Sequence, residues 1–293
     1  VTPVALPLRI GARTLATIRR RLVRVALSLD DVLEGRVPTL PDAAGDGWLV
    51  TSLPAARVAQ VETDGRIVMV RQRYTRFYTD LTIGHDAWLA GLSSSARATL
   101  RRKTRKAAAA GLTIRAYRTP EAFAAFHPLA RMVSAKTYQE TLLEAGLPED
   151  AAAVADLMAL AAADDLRAWL LLHEDTPVAY LCCTAQGSAL RYDHVGHDPA
   201  WGPSSPGTVL HAAAMRDLFD DRFARFDFTE GEGRHKRQFA TGGVACVDLL
   251  VLRPTLANRA TVLALAAFDR AVASAKRSAR HPRLATLAKR LRR

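Results

Sequence analysis

The sequence predicts an α/β (α+β) fold, a mixed sheet flanked by helices, on three observations. Three strand-like runs follow one another at Leu166–His173, Val178–Ala185 and Ala189–Val195, joined by short polar turns. A helix (Gly207–Asp220), a very short strand (Arg225–Phe228), a helical stretch (Arg234–Ala240) and a strand (Val244–Leu252) come next, so period 2 and period 3.6 alternate. The 293 residues are 49% hydrophobic and 24% charged, which supplies a core and excludes a mostly disordered chain.

Taken in order, residues 8–29 predict a helix. Leu15, Ile18, Leu22, Val25 and Leu29 recur at spacings of 3 and 4 beside an Arg-rich face. Leu33 to Gly47 is a Pro/Gly/Asp-rich connection. Strand patterns follow at Trp48–Leu53, Val58–Glu62, Arg66–Arg73 and Tyr78–Ile83, with a turn at Asp64-Gly65. Ser93–Ser95 caps an Arg/Lys/Ala helix that Gly111 ends. Leu112–Tyr117 is a strand. Thr119-Pro120 opens a helix running to about Ser134, since Thr caps and Pro suits the first turn. Another helix spans roughly 149–163. The tail 256–293 predicts a basic helix with apolar positions Leu265, Phe268, Val272, Leu284, Leu287 and Leu291.

The net charge of +12 is segregated. Residues 9–24 hold six Arg and no acid, residues 97–106 six Lys/Arg and no acid, and residues 253–293 eleven Lys/Arg against Asp269. The rest of the chain is net acidic. Such segregation points to a polyanionic partner: an anionic membrane surface, a nucleic acid or a nucleotide co-substrate. The run at 97–106 lacks interleaved aromatics, so base stacking is not indicated and no DNA is expected. No apolar run reaches the roughly 20 residues that span a bilayer, and the first residues lack a cleavable signal pattern. The three cysteines form neither a disulfide framework nor a zinc pattern. The expected location is cytoplasmic, with the inner face of the membrane as a peripheral site.

Several short motifs stand in a fixed order. Leu92-Ser93-Ser94-Ser95-x-Arg97 precedes Arg101-Arg102-Lys103. Tyr192-Asp193-His194 leads to Ser205-Pro206-Gly207-x-x-Leu210. Phe226-Asp227-Phe228 and Gly231 precede His235-Lys236-Arg237-x-Phe239. Over roughly residues 90–250 this progression resembles the FemAB/CelD-like branch of the GNAT acyltransferase superfamily. The resemblance implies a GNAT-like mixed sheet in two halves, the first degenerate. The expected division is 1–47 basic helix and linker, 48–164 degenerate half, 165–255 core and 256–293 basic helix. It implies an enzyme with no tightly bound cofactor that moves an acyl group from acyl-CoA (or acyl-ACP) to an amine. The basic ends suggest a small-molecule or lipid amine, or an envelope precursor, with a long-chain amine as in ceramide formation one subcase. Two alternatives stand beside it: aminoacyl-tRNA-dependent transfer to cell-wall precursors, and a non-catalytic scaffold. One departure matters: the pyrophosphate loop Gln/Arg-x-x-Gly-x-Gly/Ala is missing, and Pro203-Ser204-Ser205-Pro206-Gly207 occupies its place before a helix N-terminus.

Acyl transfer needs a deprotonated amine, donors for an oxyanion and a stabilised leaving group. Tyr192 and His194, two apart in a strand, are expected to share a face, with His194 as base. Asp193 faces away. Asp227, between two phenylalanines, needs a partner and is either a base or half of an ion pair with Lys236 or Arg237. Lys236 is the electrostatic candidate. Ser204, Ser205, Gly207, Thr208 and Arg237 are the candidate co-substrate contacts. Glu230 and Glu232 read as loop carboxylates, His211, His173, Cys182 and Cys183 as packing, and no spacing suggests a metal.

Overall fold

The computed structural model describes residues 1–10, 13–42, 44–137, 146–231 and 233–279. The strands are β1 (Thr2–Ile10), β2 (Arg13–Ala26), β3 (Gly47–Pro54), β4 (Ile67–Asp80), β5 (Leu112–Tyr117), β6 (Leu166–His173), β7 (Thr176–Gln186), β8 (Ala189–His197), β9 (Arg225–Asp227) and β10 (Gly242–Leu252). They form one ten-stranded sheet in the order β1-β2-β3-β10-β4-β9-β8-β7-β6-β5. The helices are α1 (Leu29–Leu33), α2 (His85–Gly91), α3 (Ser94–Ala109), α4 (Pro120–Ser134), α5 (Ala151–Ala162), α6 (Pro206–Leu218), α7 (Arg234–Phe239) and α8 (Leu256–Ala279). The mixed α/β class is therefore the one the alternating periodicities predicted.

The predicted helix over 8–29 is two strands instead. β2 pairs antiparallel with β1 along its length, and parallel with β3 from Leu22–Gly47 to Ala26–Thr51. The residues of the supposed helical stripe are divided between the two faces of the sheet. Ile18 and Leu22 pack with Leu250, Leu252 and Leu265, Val25 joins the cluster around Trp48 and Val50, and Leu15 is exposed. Thr14, Thr17, Ile18, Val23 and Val25 are β-branched and suit the pleated sheet. Arg20, on the Ile18–Leu22 face, donates to Ala257 O at 3.0 Å and to Thr261 Oγ1, tying β2 to α8.

Two smaller corrections follow from long-range pairing. The runs predicted at Arg66–Arg73 and Tyr78–Ile83 merge into one strand, β4, because β10 pairs with it from Ile67–Leu252 to Tyr78–Gly242; the strand ends at Asp80, and Leu81–Ile83 is a 3-10 turn. A Cβ at Gly242 would lie 2.6 Å from the Tyr78 ring, so the close crossing requires glycine there. Val58–Glu62 is not a strand: after Pro54 the chain turns into a 3-10 helix over Ala55–Gln60. The sheet is unbroken across the expected division at 164/165, since β10 lies between β3 and β4.

The caps behave as their residue types dictate. Ser93 Oγ accepts from Ala96 N–H at the start of α3, and Thr119 Oγ1 accepts from Ala122 N–H at α4. On one face of the β6–β9 region, α3 and α6 bury Leu100, Ala107, Leu210 and Met215 against Trp169, Leu181, Leu190 and Phe226. On the other, α4 and α5 bury Phe123, Phe126, Val133 and Leu157 against Leu170, Tyr180 and Cys182. Both interfaces are mainly apolar, and each buried large apolar side chain contributes about 1.5–3 kcal/mol. α8 lays Val262 and Leu265 on the body. The expected positions Leu284, Leu287 and Leu291 lie outside the described residues. Among the described residues no helix is long and apolar enough to cross a membrane.

Candidate active site

β8 is fully paired on one side and mostly unpaired on the other. It runs antiparallel to β7 along its length. It meets β9 in parallel only at Ala189–Arg225, Leu190–Phe226 and Arg191–Asp227. Beyond Arg191 the two strands separate, because β9 ends at Asp227 and the chain turns through Thr229 at φ 57°. A cleft of ≈ 540 Å³ fills the opening. β8 lines it with Tyr192, Val195 and His197, α6 and its approach with Ser205, Gly207, Thr208 and His211, and α7 with Lys236 and Phe239.

A β-bulge decides which β8 side chains face this cleft. Cys183 pairs with Tyr192 and Cys182 with His194, leaving Asp193 as the extra residue. Cys183 belongs to the core under α3 and α6, Cys182 to the core under α4 and α5. Tyr192 therefore points into the cleft, and His194 points to the opposite face. The expectation that the two share a face fails for this one reason. His194 is not a wall of the cleft; burial lowers its pKa, while Asp193 and a bond to the Gly146 backbone oppose the fall. Asp193 accepts from Thr184 Oγ1 at 2.5 Å and from its N–H at 3.2 Å, which ties β8 to β7 at the bulge.

Asp227 is wholly buried, and its partner is Arg76 rather than Lys236 or Arg237. Arg76 Nη2 donates to Oδ2 at 2.5 Å and Nε to Oδ1 at 3.2 Å, while Thr229 N–H donates to Oδ1 at 2.8 Å. Burial opposes the charge on Arg76, but the hydrogen bonds and charge of Asp227 outweigh it and hold the guanidinium above its ordinary value. Of the two roles weighed for Asp227, the ion pair is the one the geometry supports.

Lys236 does reach the cleft. Its ammonium donates to Phe228 O at 2.6 Å and Glu230 O at 2.7 Å, binding α7 to the turn after β9. Burial lowers its pKa, and the charges of Asp227 and Glu230 pull the other way. Glu230 serves here through its backbone oxygen; Glu232 lies outside the described residues. Burial pushes the Tyr192 phenol far above its ordinary value, so it stays protonated. Its ring packs edge-on to Phe226 and His211. His211 is buried as expected, stacked on Phe239 at 4.5 Å between ring centres, yet it also borders the cleft.

The co-substrate contacts divide. Ser205 is left-handed (φ 54°, ψ 49°), and no side chain caps the first turn of α6. Gly207 faces open space, where a Cβ would meet nothing within 4 Å. Ser205, Gly207 and Thr208 thus present an uncapped helix N-terminus to the cleft, with Ser204 just before them, and that arrangement fits phosphate. Arg237 does not join them. One residue along a helix turns the side chain by about 100°, so Arg237 borders a separate hollow of ≈ 460 Å³ with Trp88 and Ser93. α3 supplies the cation instead: Lys103 Nζ donates to Thr208 Oγ1 at 3.2 Å and Lys106 Nζ to Pro203 O at 3.5 Å. Sequence reasoning passed over Lys103, Lys106, Arg76 and the exposed His197. Only the basic run on α3 carried a signal, and its target was not visible.

With this geometry in place, the chain can be compared with known proteins. Residues 94–237 match the family described as acetyltransferase (GNAT) domain. Among curated proteins none matches significantly. The C-terminal domain (DUF2156) of a putative lysylphosphatidylglycerol synthetase from Agrobacterium fabrum superposes with a TM-score of 0.53 at 13% identity, over 75% of this chain and 71% of that one. L-PGS from Bacillus licheniformis gives a TM-score of 0.51 at 12% identity, over 74% and 71%. FemX aligns more loosely, with a TM-score of 0.42 at 12% identity over 60% and 61%. At these identities the likenesses show the fold alone. Residues 94–237 thus carry a GNAT-type acetyltransferase domain, set in a GNAT-like mixed sheet flanked by helices.

Proposed function

We propose that the cleft transfers an acyl group from a phosphopantetheine thioester, acyl-CoA or acyl-ACP, to the amine of a lipid or envelope precursor. The observation that carries this reading is the opening between β8 and β9, with the uncapped start of α6 at one side and Lys236 and Tyr192 at the other. The residues present suit such a donor. Thr208, the open backbone at Gly207 and Lys103 would meet phosphate, while the β8 edge left free by β9 offers main-chain groups to the arm. The amine attacks the thioester carbon, the carbonyl becomes an oxyanion, and the C–S bond then breaks. Lys236, charged and already oriented by two carbonyls, would place a remaining N–H toward the oxyanion. Tyr192, kept protonated, would donate a hydrogen bond to the departing thiolate, while His197 at the rim would take the proton of the attacking nitrogen, which solvent carries to the sulfur.

The branch within the superfamily and the acceptor rest on the sequence motifs and the charge pattern. Membrane contact would be electrostatic. α8 turns Val262 and Leu265 inward, while Arg19 and Arg21 of β2 are exposed. Titration of the purified protein with coenzyme A tests the donor. A saturable rise in melting temperature is expected, shifted to about tenfold higher coenzyme A with Lys103→Ala. No rise with coenzyme A, together with one for aminoacyl-tRNA, would favour the FemAB-like alternative. Sedimentation with anionic but not neutral vesicles is the expected outcome for the membrane part.

A further inference from the structure

The thioester donor accounts for only part of the positive charge on α3. Arg101, Arg102, Lys103, Arg105 and Lys106 crowd into six residues, about 8 Å of helix. Leu100 and Ala107 face the core, and all five cations except the half-buried Lys103 are exposed. Among the described residues none of the five forms an ion pair, although the body is net acidic and several arginines elsewhere find carboxylates. Arg71 pairs with Asp269, Arg131 with Glu149, Arg167 with Asp221 and Arg222 with Asp165. Cations crowded together without counter-charge repel one another, so they favour an external polyanion. The patch is continuous with the cleft, because Lys103 and Lys106 are its inner members and touch Thr208 and Pro203. Those two suffice for phosphates at the α6 N-terminus. Arg101, Arg102 and Arg105 remain over, outside the cleft and beside its mouth.

We infer that α3 is the docking face for an acidic carrier protein that brings the acyl group to the cleft on its phosphopantetheine arm. This rests on the thioester reading of the cleft and narrows its donor from a free coenzyme to a protein-borne one. The dimensions favour a protein over a nucleic acid. A patch this short matches one or two turns of a partner helix bearing carboxylates. A nucleic acid would follow an extended basic groove, but of the other basic segments β2 lies five strand spacings from β8, about 24 Å across the sheet, and α8 packs beside β1 and β4. The helix also carries no aromatic side chain for a base to stack on.

The test uses the full chain and the triple variant Arg101→Glu, Arg102→Glu, Arg105→Glu, which leaves Lys103, Lys106 and every cleft residue in place. Binding of fluorescently labelled holo acyl carrier protein from a bacterial fatty-acid synthase is read by anisotropy, beside coenzyme A and bulk tRNA. The wild-type chain is expected to bind the carrier with an affinity that falls as salt rises. The triple variant should bind it at least about tenfold more weakly while its coenzyme A affinity stays within about twofold. An equal loss for coenzyme A would overturn the proposal, because the arginines would then serve nucleotide phosphates. Unchanged carrier binding in the variant, or wild-type binding of tRNA but not carrier, would also overturn it. Coenzyme A binding without carrier binding sinks the carrier alone; binding of neither sinks the thioester reading with it.

Discussion

β4 and β9 are neighbours in the sheet, yet the two sides of that boundary are built on opposite terms. On one side, β10 and β4 pair without a gap from Ile67–Leu252 to Tyr78–Gly242, with a single bulge. On the other, β9 and β8 share three residue pairs and then part. The closed side keeps its backbone groups for itself; the open side leaves one edge of β8 for a ligand. What keeps the opening from spreading is the boundary itself. Arg76 on β4 holds Asp227 on β9, which holds Thr229 N–H at the head of the turn, and that turn supplies the two carbonyls that orient Lys236. The opening is thus anchored by the closed side.

The most damaging way to break this contrast is at the anchor. Asp227→Ala leaves Arg76 buried and unpaired, and should cost about 3–5 kcal/mol in urea unfolding. A double replacement by apolar residues of similar volume should recover much of that stability without recovering activity. Next comes Lys236→Ala, on the open side. It should lower kcat/KM about a hundredfold while the protein stays folded, as loss of one oxyanion donor typically does. If the ammonium is the working form, the alkaline limb of the rate profile should fall below the ordinary lysine value of 10.5, because burial lowers the Lys236 pKa and the charge is lost as pH rises through it. Lys236→Arg should carry that limb to higher pH. A profile unchanged by the arginine would remove Lys236 from the chemistry.

Smaller effects sharpen the contrast within the cleft. Lys103→Ala should raise the donor KM about tenfold and leave kcat within about twofold, the pattern of lost ground-state binding. His194→Ala should change kcat/KM by no more than about twofold, since the bulge turns it away from the cleft. A large loss there would mean that the two faces of β8 are coupled.

Much of the chain from Ser93 onward was legible. The strands, the caps at Ser93 and Thr119 and the Pro206-Gly207 helix start depend on neighbours in sequence. So does the placing of Tyr192, Lys236, Ser205, Gly207 and Thr208. What was not legible depends on distant or one-residue events. β2 carries apolar residues at spacings of 3 and 4 that a sheet divides between its faces, and only its partners β1 and β3 settle the matter. Arg76 stands 151 residues from Asp227, so no local pattern joins them. The bulge adds one residue and reverses the sense of period 2, which moves His194 out and His197 in. Arg237 was lost to the turn of a helix.

The place of β10 has a consequence for how the chain is made. It is synthesised after the other nine described strands, yet it lies inside the sheet between β3 and β4. Until it arrives, β3 and β4 each present an unpaired edge to the other and to any other chain nearby. From the completion of β4 until residues 242–252 emerge, the central seam of the nascent sheet is therefore open. A chain stopped short of Gly242 loses the middle of the sheet rather than its rim, and should be aggregation-prone rather than merely shortened.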